Sequence, residues 1–309
     1  MFLLQHRQRL TQRVLTAARC CSTKSLLDSK LACIGGGRMA EAILNALKSK
    51  NIIAMENVHV YDVNEDRLAY LKDKYKIIPC NSMNDCVSNS ELIILAVKPQ
   101  HVSVVAESLT IPITNSVVIS IAAGVEIKQL VNKFKTKLVI RTMPNTPAMV
   151  LEGITVWTAT KETPPPLLEK AKALFNTFGD EIEVSDEAYL DMATAVSGSG
   201  PAYVFLTMEA MIDASVHLGF PRETAIKLVT ATIKGSAVYS QQSKDNLTTL
   251  RNNVTSPGGT TASALYELER GNFRTVIADG IWAAYRRSLE LGNKNPNVGP
   301  GRNKFTKLD

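Results

Sequence analysis

Several residue patterns that define common classes of protein are scarce in this sequence. Its 309 residues include five cysteines and four histidines, and no two cysteines have the C-x-x-C spacing of a zinc site or redox motif. We therefore predict neither a metal centre nor a disulfide framework and interpret the cysteines as reduced thiols. No uninterrupted apolar run reaches the roughly 18 residues that cross a bilayer, so no membrane span is predicted.

Negative charge is missing from the beginning of the chain. Residues 1–27 contain no acid, whereas the whole chain has a net charge of +6. Their basic residues are Arg7, Arg9, Arg13, Arg19 and Lys24. Without this segment the charge is close to neutral, so a nucleic-acid partner is not predicted. An Arg-rich, acid-free, amphipathic start predicts a mitochondrial transit peptide at 1–28 and location in the matrix. The alternative is a basic tail with no targeting role.

The first half of the chain alternates short apolar runs with helical stretches. The runs are LACI (31–34), VHVY (58–61), LIILAV (92–97), VVISI (117–121), LVI (138–140) and ITVWT (154–158). Continuous Val/Ile/Leu runs separated by helices indicate a parallel sheet covered on both faces. The fold class is therefore α/β, with a Rossmann-like dinucleotide-binding domain at residues 29–188.

The second half reads as helices alone. PAYVFLTMEAMIDASVHLGF (201–220), ETAIKLVTATIKGSAVYS (223–240) and FRTVIADGIWAAYRRSLEL (273–291) are too apolar for isolated surface helices. They predict an all-α domain at 189–291 whose helices pack on each other or on a second subunit. The Asn/Gly/Pro/Lys-rich residues 292–309 are predicted to be disordered.

A dinucleotide-binding motif follows the first strand. In LACIGGGRMAEAI the residues Gly35, Gly37 and Ala40 form G-x-G-x-x-A, directly after a strand and opening a helix. The first glycine permits the tight turn, the second lets the backbone approach a pyrophosphate, and the small third residue lets helix and strand pack closely. The predicted cofactor-binding residues in this loop are Gly35, Gly36, Gly37, Arg38 and Met39.

The choice between the two nicotinamide cofactors depends on the end of the second strand. Asp62 ends that strand, and a carboxylate there accepts hydrogen bonds from the adenosine ribose and repels a 2′-phosphate. Asn64 is a second cofactor candidate that could instead accommodate a phosphate. We expect Arg67 on the outer face of the following helix, although its side chain could also reach the phosphate. The balance favours NADH over NADPH.

Later strand ends provide the remaining cofactor candidates. In open parallel sheets, ligands bind outside the carboxyl ends of the strands. Ala96, Val97 and Lys98 end the third predicted strand, and Ala123 follows the fourth. We predict that Val97, Lys98 and Ala123 line the nicotinamide side of the site and that Ala96 also binds the cofactor. For Lys98 a solvated strand-end lysine is an equally good interpretation.

A second motif, SPGGTT (256–261), stands in front of an amphipathic helix. The helix is predicted to begin near Thr260 or Thr261. The first four N–H groups of a helix lack internal partners, and the glycines place no bulk in front of them. Small anions are therefore expected to bind there. An ordinary capped turn is the alternative.

Together these segments resemble the pyrroline-5-carboxylate reductase family. The resemblance covers about residues 31–290. It rests on IGGGRMAEAI, AVKPQ, SIAAGV, RTMPNTPAMVLEG, SGSGPAYVF, GFPRETA and NNVTSPGGTTASALYELERGNFR, which stand in the family's order. It implies reduction of 1-pyrroline-5-carboxylate to proline by NADH or NADPH, and a helical domain that interlocks with a partner subunit in a homodimer or a larger ring of dimers.

The resemblance also implies roles for single residues. The substrate carboxylate would be held by Ser256, Gly258, Gly259, Thr260 and Thr261. The Thr261 hydroxyl would lie beside the ring nitrogen as the catalytic group, and Asn253 would approach the cofactor. Asn252 departs from the family, which often has an aspartate there.

Two rival functions remain open. One is a β-hydroxyacid-dehydrogenase-like oxidoreductase, although GSGPAYVF lacks the lysine that class places at the start of its interdomain helix. The other is a non-catalytic NAD(P)H-sensing module, although such a module would not need an intact SPGGTT turn.

Overall fold

The structure, a computed structural model, describes residues 29–301. The predicted transit peptide at 1–28 and the residues 302–309 lie outside the described residues. The described chain forms two compact units, residues 29–198 together with 285–301, and residues 199–284. The predicted domain boundary at 188/189 precedes this division, because α7 (Ala188–Ala193) is held to the first unit by side chains described below.

A sheet whose first six strands are parallel and whose last two strands run the other way forms the first unit. The strand order is β3-β2-β1-β4-β5-β6-β7-β8. The strands are β1 Leu31–Ile34, β2 Val58–Tyr61, β3 Ile78–Pro79, β4 Leu92–Leu95, β5 Val117–Ser120, β6 Val139–Met143, β7 Gly153–Ala159 and β8 Gly179–Glu183. The predicted α/β class is confirmed, and the order that starts from β1 and runs both ways is that of a dinucleotide-binding fold.

Two details of the sheet differ from the sequence prediction. Strand β7 is antiparallel to β6, because the connection 144–152 is too short for the crossover helix that a parallel pair requires. The strands β3 and β8 were not predicted. Both are at edges of the sheet, where long apolar runs are not needed.

Helices connect the strands and cover the two faces of the sheet. In the first unit they are α1 Arg38–Lys50, α2 Glu65–Tyr75, α3 Met83–Val87, α4 Val102–Ser108, α5 Ile127–Phe134, α6 Pro165–Phe175 and α7. One face packs Leu44, Leu47 and Phe175 against the sheet, and the other packs Val105, Leu130 and Phe134. The site loops described below therefore stand on a rigid, two-sided core.

The second unit contains helices only, as predicted. They are α8 Gly200–His217, α9 Arg222–Gln242, α10 Leu247–Asn253, α11 Thr260–Arg270 and α12 Phe273–Leu291, whose last turns belong to the first unit. Helices α8 and α9 pack on each other. Between residues 199 and 284 only Ala225, Val229 and Leu250 are buried. Within residues 29–301, no helix combines the length and apolar character that crossing a bilayer requires.

The segment after α12 corrects the prediction of disorder from residue 292, as far as residue 301. Lys294 pairs with Glu126 and Asp191 of the first unit, and Arg286 donates hydrogen bonds to the carbonyls of Val298 and Pro300. Composition alone predicted disorder here, because these partners are distant in the sequence.

Candidate active site

The loop between β1 and α1 has the geometry that the glycine motif predicts. Gly35 has φ of +100°, and a Cβ there would lie 2.6 Å from the carbonyl oxygen of Ala96. Only glycine fits a positive φ and this close approach. At Gly37, by contrast, no protein atom lies within 4 Å of the Cβ position. The backbone of Gly37 is therefore open to a ligand.

The start of α1 offers unused hydrogen-bond donors. Gly37 is its N-cap and provides no side-chain hydrogen bond. Free N–H groups at a positive helix end bind phosphate. Arg38 is exposed at the first helical position, whereas Met39 is half-buried and packs against the core. The loop therefore fits the pyrophosphate of a dinucleotide, with Arg38 on the solvent side.

A cavity of about 480 Å³ lies at the carboxyl ends of β1, β2 and β4. Six of the predicted cofactor residues line it, namely Gly35, Gly37, Asp62, Ala96, Val97 and Lys98. The sequence analysis missed the rest of the lining, which is Ile34, Tyr61, Val63, Met83, His101, Val104 and Val105. His101 could have been suspected, because it closes the strand-end segment KPQH. A cavity with apolar walls and a few polar groups suits the nucleotide half of a cofactor. The prediction that Val97 and Lys98 line the nicotinamide side is thereby corrected, because both line this cavity beside Asp62.

Asp62 holds the glycine loop. Its Oδ2 accepts a hydrogen bond of 2.6 Å from the N–H of Gly36, and its Oδ1 accepts one of 2.9 Å from the N–H of Asn64. Asn64 in turn caps α2 by accepting from the N–H of Arg67. Asn64 is thus placed as a helix cap, and it is not part of the cavity lining. The carboxylate of Asp62 therefore lies in the cavity wall and fixes the loop.

Arg67 corrects the expectation of an outward-facing side chain. Its Nε donates to the carbonyl of Gly36 at 2.6 Å, and its Nη2 donates to Glu41 on α1 at 2.5 Å. Partial burial raises the pKa of Glu41, but hydrogen bonds from Lys74, Arg67 and Tyr70 outweigh burial and lower it to about 2. Glu41 is therefore ionised and keeps Arg67 against the loop.

The loops after β5 and β6, where the nicotinamide side is predicted, pack against the core of the first unit. Ala123 packs against the cluster of Met143, Val156 and Leu190. Asn145, in the segment MPNTP after β6, donates to the carbonyl of Ser197 and accepts from the N–H of Ile154. Ala123 is not part of the cavity lining. It lies at the carboxyl end of β5, the strand next to β4.

A buried charge network lies behind these strand ends. Arg141 on β6 and Asp191 on α7 are each 1% exposed and form a 2.9 Å ion pair. Arg141 also binds Glu187, which accepts from the N–H of Ile127 at the start of α5. The sequence signal for this network is a charged residue inside the strand LVIRTM, because a buried charge requires a partner.

In the second unit, the segment predicted to bind an anion forms a turn directly before α11. Helix α11 begins at Thr260, as predicted, and its N-cap Gly259 provides no side-chain hydrogen bond. The N–H of Gly259 bonds to the carbonyl of Ser256, and Gly258 has φ of +68°. These are the features of a type II turn with Pro257 at its second position. The first N–H groups of α11 are therefore presented on a rigid turn without a side-chain cap.

The hydroxyl groups of this turn differ in their surroundings. Thr261 is half-buried in the first turn of α11, whereas Thr260 and Ser256 are exposed. Asn253 is the exposed last residue of α10. Its neighbour Asn252 accepts a hydrogen bond from Arg251, so the residue that replaces the usual aspartate has a local polar partner.

A sheet with a dinucleotide loop, joined to a helical unit with little buried surface, defines the class of NAD(P)-dependent oxidoreductases. Residues 30–124 match the family model described as NADP oxidoreductase, coenzyme F420-dependent. Residues 187–291 match the model for pyrroline-5-carboxylate reductase dimerisation. The chain belongs to the pyrroline-5-carboxylate reductase family.

Individual relatives support this membership over nearly the whole chain. The chain is 42% identical to the pyrroline-5-carboxylate reductase of Synechocystis over 87% of its own length and 100% of that protein. It is 35% identical to that of Glycine max over 84% of its length and 95% of the relative. The structure of Plasmodium falciparum pyrroline carboxylate reductase with NADP bound is similar, with a TM-score of 0.78 at 31% identity, over 86% of this chain and 99% of that one.

Replacing Gly37 tests whether the open loop binds the cofactor. In Gly37→Ala the new methyl group meets no protein atom but occupies the space in front of the loop. We expect the Kd for NADH, measured by isothermal titration calorimetry, to rise at least about tenfold, with a melting temperature within about 2 °C of the native value.

Gly35→Ala is the contrasting variant. Its methyl group would collide with the Ala96 carbonyl, so we expect both stability and NADH binding to fall. Native affinity for NADH in Gly37→Ala would show that the pyrophosphate does not bind at this loop.

Proposed function

We propose that this chain is an NAD(P)H-dependent reductase that converts 1-pyrroline-5-carboxylate to L-proline, the last step of proline biosynthesis. The observation that carries the proposal is the uncapped start of α11 behind a rigid Ser256–Gly259 turn, in a chain that also has an open dinucleotide loop. A small cyclic imine with one carboxylate needs such an anion site and a hydride donor.

The turn supplies binding and orientation for the substrate. The N–H groups of Thr260 and Thr261 stand at the positive end of α11, where a carboxylate is stabilised by the helix dipole and by direct hydrogen bonds. Gly258 keeps the turn tight through its positive φ. Fixing the carboxylate removes rotational freedom from the ring and orients its imine carbon.

The chemistry demands little from acidic or basic side chains. The bound cofactor would supply the hydride to the imine carbon. The imine nitrogen needs one proton, and the half-buried Thr261 hydroxyl is the group that would donate or relay it. Thr261 is therefore the proposed catalytic residue, and its loss should slow the reaction without abolishing it.

We further propose a preference for NADH. The Asp62 carboxylate lies in the wall of the cavity, and both of its oxygens are fixed by backbone N–H groups. A fixed negative charge repels a 2′-phosphate. The nearby guanidinium of Arg67 is matched by Glu41, so its charge is already compensated.

The two rival functions are less well supported. Among solved structures outside the family, one of a putative oxidoreductase from Pseudomonas putida has a TM-score of 0.55 at 14% identity, which is a likeness of fold alone. A non-catalytic sensing module would not require the SPGGTT turn, which is complete here.

An assay of cofactor oxidation tests the reaction and the cofactor preference together. With 1-pyrroline-5-carboxylate as substrate, we expect the purified protein to oxidise NADH with a higher kcat/KM than NADPH. A preference for NADPH would keep the enzyme and reject the role of Asp62. Binding of both cofactors without oxidation would favour the sensing module.

A pair of variants in the same assay tests the proton-donating hydroxyl. Thr261→Ala should lower kcat by about tenfold to hundredfold, whereas Thr261→Ser keeps the hydroxyl and should retain most activity. Ser263→Ala, exposed on the same helix, is the matched control. Equal kcat in Thr261→Ala and the native protein would remove Thr261 from the mechanism.

We propose a homodimer as the smallest assembly of this chain, from which a larger ring could be built. The helical unit is the dimerisation domain that would form it. Apolar side chains of residues 199–284 remain exposed, such as Leu206 at 68% and Val276 at 63%. Covering them by a second copy would remove them from water. Light scattering should give a mass of at least two chains, and a monomer would contradict the proposal.

We also propose a mitochondrial matrix location, supported by the predicted transit peptide at 1–28, whose residues 1–27 are Arg-rich and contain no acid. Fused to a fluorescent protein in eukaryotic cells, this segment should direct the fluorescence to mitochondria. Replacing its four arginines by glutamine is the control and should leave the fusion in the cytosol. Cytosolic fluorescence with the native segment would reject the location.

A further inference from the structure

The segment that follows α12 contacts a loop of the predicted nicotinamide side. Gly124 and Gly292 are in backbone contact, since a Cβ on Gly124 would lie 2.9 Å from the nitrogen of Gly292. A Cβ on Gly292 would in turn lie 3.0 Å from the carbonyl oxygen of Gly124. Gly124 has φ of +74° and directly follows Ala123. Neither position accommodates a side chain without moving the other segment.

An ion pair fixes the same two segments a few residues further on. The Nζ of Lys294 lies 2.8 Å from Oε1 of Glu126 and 2.7 Å from Oδ2 of Asp191. Burial lowers the pKa of Lys294, but hydrogen bonds to the two carboxylates outweigh it and raise that pKa. The amine therefore stays charged and bridges the loop 121–126 and α7.

The Asp191 end of this bridge is rigid. Asp191 also accepts from Arg141 at 2.9 Å and from the Ser288 hydroxyl at 3.2 Å, and its side chain is 1% exposed. Glu126 by contrast is partly exposed, with 31% of its side chain accessible. Lys294 thus ties the partly exposed carboxylate of Glu126 on the loop to the buried carboxylate of Asp191, which the core already holds.

On this geometry, and resting on the proposed function, we propose that Lys294 is a positioning residue for the nicotinamide half of the cofactor. The segment 289–294 clamps the loop 121–126 through these contacts, so that Ala123 keeps its place at the carboxyl end of β5. The adenosine half has its own walls at β1, β2 and β4, which contain no residue of this clamp. Loss of Lys294 should therefore affect the two halves of the cofactor unequally.

Full-length Lys294→Met separates these halves by calorimetric titration with NADH and with ADP-ribose, which lacks the nicotinamide. We expect the Kd for NADH to rise about tenfold and the Kd for ADP-ribose to change by less than about twofold. KM for NADH should rise more than kcat falls. Lys294→Arg keeps the charge at both carboxylates and should restore most of the affinity.

Further variants keep the test independent of folding. Asp191 retains Arg141 and Ser288 when Lys294 is lost, and Glu126→Gln removes the loop end of the bridge without touching Asp191. Glu126→Gln should reproduce the loss for NADH alone. Lys128→Met, which removes an exposed lysine from α5 that makes no ion pair within residues 29–301, is the matched control and should bind both ligands normally.

The possible outcomes are distinct. Native NADH affinity in both Lys294→Met and Glu126→Gln would overturn the proposal, and equal losses for NADH and ADP-ribose would reduce Lys294 to a structural role. Because binding is measured directly, the clamp can be judged even if the native protein fails to reduce 1-pyrroline-5-carboxylate. That failure would reject the proposed function alone.

Discussion

The cofactor half of this protein depends on one close approach, that of the Gly35 backbone to the carbonyl of Ala96. This contact brings the turn after β1 onto the end of β4 and sets the direction in which α1 leaves the sheet. Asp62 then reaches the N–H of Gly36 from β2, and Arg67 reaches its carbonyl from α2. Three neighbouring strands and two helices are thereby joined at the glycine loop.

On the other side of β4, buried charged side chains join neighbouring elements in the same way. Arg141 and Asp191 are buried together, and a buried ion pair persists only when its remaining hydrogen bonds are satisfied. Glu187, Ser288 and Lys294 satisfy them. The network fixes α7, the start of α5 and the segment 288–294, all of which border the loops that follow β5 and β6.

The helical unit has the opposite character. With three buried residues between 199 and 284, its helices have little core of their own, and an apolar helix without a partner is unstable in water. The turn before α11 nevertheless has a defined local geometry, because Pro257, Gly258 and Gly259 impose it through the backbone alone. Local chemistry builds this turn, and assembly is expected to stabilise the helices that carry it.

The sequence by itself determined the features that depend on neighbours in the chain. The apolar runs predicted the strands from β1 to β7 apart from β3, the glycines predicted the dinucleotide loop, and SPGGTT predicted the start of α11 at Thr260. Only the tertiary structure decided that Arg67 faces inward and that Lys294 belongs to an ordered segment. It also decided that Asp62 holds the glycine loop by hydrogen bonds in addition to lining the cavity. Each of these side chains has a partner that is distant in the sequence. No local sequence pattern could therefore reveal whether the side chain points into solvent or toward that partner.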